Sequence, residues 1–249
     1  MNSRATVPDI AMSRNLPLGD AADVSPTARE VSERLLDAFF HQDLREDCLL
    51  CGDVDGARTA AETATAAMST VFCAEFPGRP RRHAERAGET FVQALFLQDE
   101  IENWAAVEAD RSQLPSDLVL TCGPAPRGTD VLDDPRWDDV RDLLSAVCSD
   151  AGIDETYARR QTEFWRRHGQ REAGWRRTAL AAHRLKVRAM VPGCSDEEAE
   201  RLARQFVLGV ELHDEWSRTD RDRDFGEIRG VVAAYYQHIF ELRGKIPRL

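Results

Sequence analysis

Two acidic strings carry the residue types that do chemistry with cations. The first is FLQDEIENW at 96–104, which places Asp99, Glu100, Glu102 and Asn103 close together. The second is QFVLGVELHDEWSRTDRD at 205–222, where His213, Asp214, Ser217, Asp220 and Asp222 follow an apolar start with no intervening proline. An α-helix turns by about 100° per residue. With Leu202 set at zero, Phe206, Val210, His213, Ser217, Asp220 and Asp224 all fall within about 80°, while Asp214 lies to one side and Arg221 at the edge. With Val92 at zero, Leu95, Phe96, Asp99, Asn103 and Ala106 fall within about 60°, flanked by Glu100 and Glu102. In both strings the polar groups continue the apolar stripe instead of opposing it. Burying an uncompensated charge costs on the order of several kcal/mol. Two helices carrying acids inward could remove that cost by sharing cations. Mg²⁺ suits such a site, because it takes oxygen ligands from a few carboxylates, water and substrate phosphates. The bland alternative is that both helices leave the core at one end, where their polar turns are solvated.

The elements that position these strings are helical throughout. Residues 1–25 mix Pro, Gly, Asn, Ser and Asp without a period and read as a disordered tail. Ser25-Pro26-Thr27 with Glu30 signals a helix start, and Val31, Leu35, Ala38 and Phe39 carry that helix to about Asp47. An Ala/Thr-rich helix spans about Asp55 to Glu75 and ends at FPGRP, 76–80. The first acidic string lies on a helix from about Arg81 to Arg111. A Pro/Gly-rich connection covers Leu114 to about Asp134, and its VLTC at 119–122 is too short and isolated to count as a strand. Pro135 opens a helix to about Ala151. Asp154 caps the next, a long one broken near Gly169 or Gly174 and ended by Pro192-Gly193. Ser195-x-x-Glu198 reads as the capping box of the helix that carries the second string. Phe225-Gly226 kinks or separates a final helix over about 227–243, and 245–249 is a short tail. The expectation is all-α: one domain over 26–244, a bundle of about seven helices.

Composition narrows the function classes. The 249 residues are 42% hydrophobic and 31% charged, a globular profile, and no run reaches the roughly 18 apolar residues a membrane helix requires. The N-terminus lacks a continuous apolar h-region, so the expected location is cytoplasmic and no integral membrane association is expected. A net charge of −11 argues against a nucleic-acid partner, which would require a basic surface. Lys186 and Lys245 are the only lysines; the Arg-, Ala- and Asp-rich remainder has the look of a GC-rich bacterial coding bias. Of six cysteines, only Cys48 and Cys51 form a C-x-x-C pair. With no second pair or nearby His they read as incidental thiols of a reducing compartment.

Together the two strings resemble those of class I terpene synthases. FLQDEIEN resembles that family's aspartate-rich motif, with Asp99 first, Glu100 second and Asn103 last. VELHDEWSRTDR at 210–221 resembles its second motif: His213 stands where Asn is expected, Asp214 and Ser217 match, and Arg221 stands in place of Glu, with Asp220 and Asp222 beside it. The resemblance spans about 70–240. It implies a lyase of secondary metabolism that ionises a small-molecule isoprenyl diphosphate and cyclises or quenches the carbocation. It further implies Mg²⁺ held by Asp99, Glu100, Asn103, His213, Asp214, Ser217 and Asp220, a diphosphate-sensing Arg drawn from Arg171, Arg176 or Arg177, and an aromatic pocket of Phe96, Trp104, Trp165, Trp175, Phe206 or Trp216. A homodimer is compatible with the chain. The interval between motifs is compressed, and Tyr235 and Tyr236 come too early for the family's C-terminal Arg-Tyr pair. Two other classes stay open. One is a non-catalytic helical scaffold whose site has decayed, which Arg221 favours. The other is an HD-type metal phosphohydrolase built on His183 and His213-Asp214. A ferritin-like or heme-oxygenase-like oxidase would want E-x-x-H pairs, and the chain has none.

Overall fold

The structure is a computed structural model and describes residues 26–110, 130–219 and 226–245; the side chains at 103–110 and 217–219 lie outside the description. The described residues form eight α-helices and a single 3₁₀ turn: α1 (Ala28–Cys51), α2 (Val54–Glu75), α3 (Arg81–Asp110), the turn Val131–Asp133, α4 (Arg136–Ala151), α5 (Thr156–Gly169), α6 (Trp175–Met190), α7 (Asp196–Thr219) and α8 (Gly226–Lys245).

Local chemistry sets most of the boundaries. Thr27 and Glu30 form the expected capping box at α1. Ser195 and Glu198 form another at α7. Asp154 accepts from the Thr156 backbone N–H at 2.8 Å at the head of α5. α1 runs one turn past Asp47, to Cys51, because the chain leaves the helix only at Gly52, whose φ of 75° is left-handed. The eighth helix is the main departure from the expected seven. The break anticipated near 169–174 is a full turn: Arg171 has φ 54° and Gly174 φ 91°, which no continuous helix accommodates, so α5 and α6 are separate. The final helix also extends through Lys245, one residue beyond the expected domain edge. The VLTC segment and the N-terminal tail lie outside the described residues.

Each helix packs on the next in chain order, and α8 packs on both α7 and α1, so the bundle closes into a ring. Neighbours alternate in direction. Between α6 and α7, Arg188 meets Asp196, Arg184 meets Glu200 and Arg176 meets Glu211. The narrow α2 lies close to α3: a Cβ on Gly88 would come within 2.7 Å of the Ser69 Cα, so only glycine permits that crossing. α3 is enclosed by α1, α2 and α4, and Ala94, Leu95, Phe96 and Leu97 are all buried in succession. An apolar stripe on such a helix does not by itself say which neighbour a given polar residue will meet.

A polar knot crosses the middle of the ring. Glu75 Oε1 accepts from Lys186 Nζ at 3.0 Å and from the Tyr236 hydroxyl at 2.8 Å, tying α2, α6 and α8. The ammonium also sits 5.0 Å from the Phe72 ring centre and 5.7 Å from that of Phe91. His183 shares a 2.7 Å hydrogen bond with the Tyr235 hydroxyl, and Phe206 stacks on its ring at 3.6 Å. Near the α2 and α6 C-termini the Arg243 guanidinium donates to the carbonyls of Ala74, Glu75 and Met190. No helix of the described residues is long and apolar enough to cross a membrane.

Candidate functional site

The acidic turn of α3 lies at the end of the ring where α1, α5 and α7 finish. Its carboxylates diverge toward different neighbours. Asp99 faces α1 and accepts from Gln42 Nε2 at 2.8 Å. Glu100 also faces α1, where Arg45 meets it at 2.5 Å with both side chains almost sealed from solvent. The same guanidinium lies 4.2 Å over the Phe96 ring. Phe96 is therefore packed beneath Arg45 at the α1 contact, on a different side from the wall expected of it.

Glu102 points elsewhere. Its carboxylate lies against Gly169, the last residue of α5, so closely that a Cβ there would be 2.1 Å from Oε1. That oxygen is shut off from solvent and has no hydrogen-bond partner. Beside it, His168 Nε2 lies 2.8 Å from Asp214 Oδ2 on α7. Nε2 makes no well-directed hydrogen bond there. Trp175, at the head of α6, presents its ring edge-on to His168 at 4.6 Å.

The electrostatics follow from this crowding. Burial pushes the Asp99 carboxyl well above the usual range; the Gln42 hydrogen bond opposes that shift, Glu46 and Glu102 add to it, and Arg45 reduces it. Burial likewise raises Glu102 to about 7, opposed by a Gln98 hydrogen bond and by His168, and reinforced by Glu46 and Asp214.

The expected site residues are only partly brought together. Asp214 turns inward, although a stripe counted from Leu202 set it to one side. The buried set on α7 also includes Ala199, Ala203 and Val207, which shifts the centre of the inward arc by about 70° and leaves His213 and Asp214 on either side of it. His213 faces α1, 3.6 Å from Asp43, with Trp216 5.9 Å away. Phe206 is partly buried, stacked on His183 and packed against the core. Arg171 and Arg177 are exposed on and just after the α5–α6 turn, and Arg176 pairs with Glu211. The side chains of Asn103, Trp104 and Ser217 lie outside the description, and Asp220 lies outside the described residues altogether.

Gln42, Arg45, Glu46 and His168 were not among the expected site residues, yet a signal for them exists. On α1, Leu35, Ala38, Gln42, Arg45 and Leu49 share one face. On α5, Tyr157, Phe164 and His168 do the same. The angular argument applied to α3 and α7 finds these residues when it is applied to α1 and α5. Gly169 has no such signal.

Among the described residues no group of three or more His, Cys, Asp or Glu side chains converges as a ready ligand shell. Mg²⁺ usually takes only one or two carboxylates and completes its shell with water and phosphate oxygens. An orphaned carboxylate oxygen beside further acids fits that demand. The Arg45-neutralised Glu100 does not. No family model, curated protein or solved structure matches the chain.

Proposed function

We propose that the chain is a terpene synthase-like enzyme: a carbon–oxygen lyase that takes an isoprenyl diphosphate with Mg²⁺ at the α1/α3/α5/α7 end of the ring. One observation carries this reading. The ends of α3, α5 and α7 come together there: Glu102 of α3 lies against Gly169 of α5, and the adjacent His168 lies 2.8 Å from Asp214 of α7. Asp99 and Glu100, with Asn103, are the α3 residues of the resemblance; His213 and Asp214, with Ser217 and Asp220, are those of α7. Bound Mg²⁺ would neutralise the diphosphate as the carbon–oxygen bond breaks. The protein's own part is to hold carboxylates on facing helices and to keep Trp175 and His168 beside them as an aromatic edge. Arg171 and Arg177, exposed on and just after the α5–α6 turn, are assigned by this reading to the departing anion.

A second reading, a helical scaffold without catalysis, draws on a different observation. Glu100 is sealed against Arg45, and the middle of the ring is filled by Glu75, Lys186, Tyr236, His183 and Phe206. Thermal unfolding with Mg²⁺, with and without inorganic pyrophosphate, separates the two, because binding to the folded state raises its stability. Protection that depends on both and is lost in Asp99→Ala and Asp214→Asn supports the enzyme. No shift, together with no product from geranyl, farnesyl or geranylgeranyl diphosphate, leaves the scaffold.

A further inference from the structure

We propose that the outer face of α5, built on Arg159, Arg160 and Arg166, is a docking surface for an acidic helix of another protein. The surface is independent of the diphosphate reading, which uses other arginines.

The starting point is charge that the fold leaves unmet. The chain carries a net charge of −11, yet between Thr156 and Met190 nine arginines and a lysine stand against only two acids, Glu163 and Glu172. A helix turns about 100° per residue, so Arg159, Arg160, Glu163, Arg166 and Arg167 share an arc of about 120° on α5. Tyr157, Gln161, Phe164 and Trp165 are buried on the other side. Arg167 is held by Glu163 at 2.5 Å and by Glu172 at 3.4 Å, which uses the one acid of the face. Arg159 and Arg160 are exposed and Arg166 is half-buried. These three make no ion pair among the described residues.

Other helices treat their arginines differently. Arg29, Arg58, Arg81, Arg141 and Arg204 each pair with an acid one turn away. On α6, Arg176, Arg184 and Arg188 are met by Glu211, Glu200 and Asp196 of α7. The three on α5 are clustered, and neither their own helix nor a neighbour neutralises them.

The chemistry of the face selects its occupant. Among the described residues the exposed large hydrophobic side chains are Phe40, Leu44, Leu50 and Leu208, which belong to α1 and α7. The α5 face therefore offers no ring to stack on a nucleotide base and no apolar wedge for a bilayer. The net charge of −11 repels a long polyanion, whereas a short acidic segment at the face responds to charges within a Debye length of about 10 Å. Arg159 and Arg166 are separated by about 10 Å along the helix axis, two turns apart on one side. Carboxylates at i, i+3, i+4 and i+7 of a partner helix repeat that spacing, so the two rows match.

The probe is a short helical peptide with glutamates at i, i+3, i+4 and i+7, titrated calorimetrically at low salt beside a scrambled peptide of the same composition. The ordered peptide binds the wild type more tightly than the scrambled one, and its binding weakens as salt is added. Charge reversal at the face, Arg159→Glu with Arg160→Glu and Arg166→Glu, lowers affinity by at least about tenfold. The control, Arg29→Glu with Arg58→Glu and Arg82→Glu, makes the same change in net charge on α1, α2 and α3 and keeps the affinity. If the reversed face melts early, Arg159→Gln with Arg160→Gln carries the same comparison. No binding by the wild type, equal binding of the scrambled peptide, or equal losses in both triple variants overturns the surface. Tighter binding of duplex DNA or of phosphatidylglycerol vesicles, or self-association abolished by the face reversal, overturns the acidic protein as its occupant. Arg171 and Arg177 are untouched in every variant, so the pyrophosphate shift of the parent reading is scored separately.

Discussion

The molecule buries charge in two places, and the two are solved in opposite ways. In the middle of the ring Glu75 has Lys186 and Tyr236 within hydrogen-bonding distance, and aromatic rings flank the ammonium. Every charge there has an opposite charge or a donor. At the rim, Asp99 feels the charges of Glu46 and Glu102, Glu102 feels those of Glu46 and Asp214, and Arg45 is paired with Glu100. The first arrangement ties three helices together and asks for nothing from outside. The second holds carboxylates whose burial raises their proton affinity: Asp99 and Glu102 both sit above the usual carboxylate range.

The largest expected effect breaks the balanced region. Lys186→Met leaves Glu75 buried without its counter-ion and lowers stability by about 4 kcal/mol in chemical denaturation. A loss below about 1 kcal/mol would show that the knot is not the closed pair described here. The opposite sign is expected at the rim. Glu102 titrates near 7 when folded against an ordinary 4.5. Between those values the folded state keeps a proton that the unfolded state has released, so stability falls as pH rises through this window and levels off above it. The difference of 7 − 4.5 = 2.5 units corresponds to about 3 kcal/mol. Glu102→Gln therefore flattens that slope and stabilises the protein by about 2–3 kcal/mol at pH 8, read from denaturation midpoints across pH. A variant with the wild-type slope would place the titration elsewhere.

Two smaller effects sharpen the contrast. Arg243→Leu strips donors from the carbonyls of Ala74, Glu75 and Met190 beside the central knot, at about 2 kcal/mol. His213→Gln removes a half-exposed contact with Asp43 at the rim and costs under about 1 kcal/mol. An Arg243 variant as mild as the His213 one would mean that the α2 and α6 ends find other donors.

Much of the fold was legible because helix ends are decided by a few adjacent residues. Thr27 with Glu30 and Ser195 with Glu198 announce their helices in sequence and form those boxes in the structure. The break near Gly169 or Gly174 was legible from its glycines, but that it makes a full turn between two helices depends on Arg171 taking a left-handed conformation, which nothing in its side chain demands. The candidate site was legible to the level of faces. The polar residues of α3 and α7 were seen to continue apolar stripes, and these two helices do bring acids to one end of the ring.

What the sequence by itself determined about this protein is its helical content, its capped boundaries and the acidic character of two inward faces, because each depends on residues within a turn or two of one another. Tertiary structure alone decided which acid meets which neighbour. Asp99 and Glu100 were drawn to Gln42 and Arg45, and Glu102 was left to Gly169, His168 and Asp214. The reason is geometric. α3 is buried against three helices, so its periodicity leaves its roll undefined, and the contacts that set the roll come from residues more than fifty positions away in the chain.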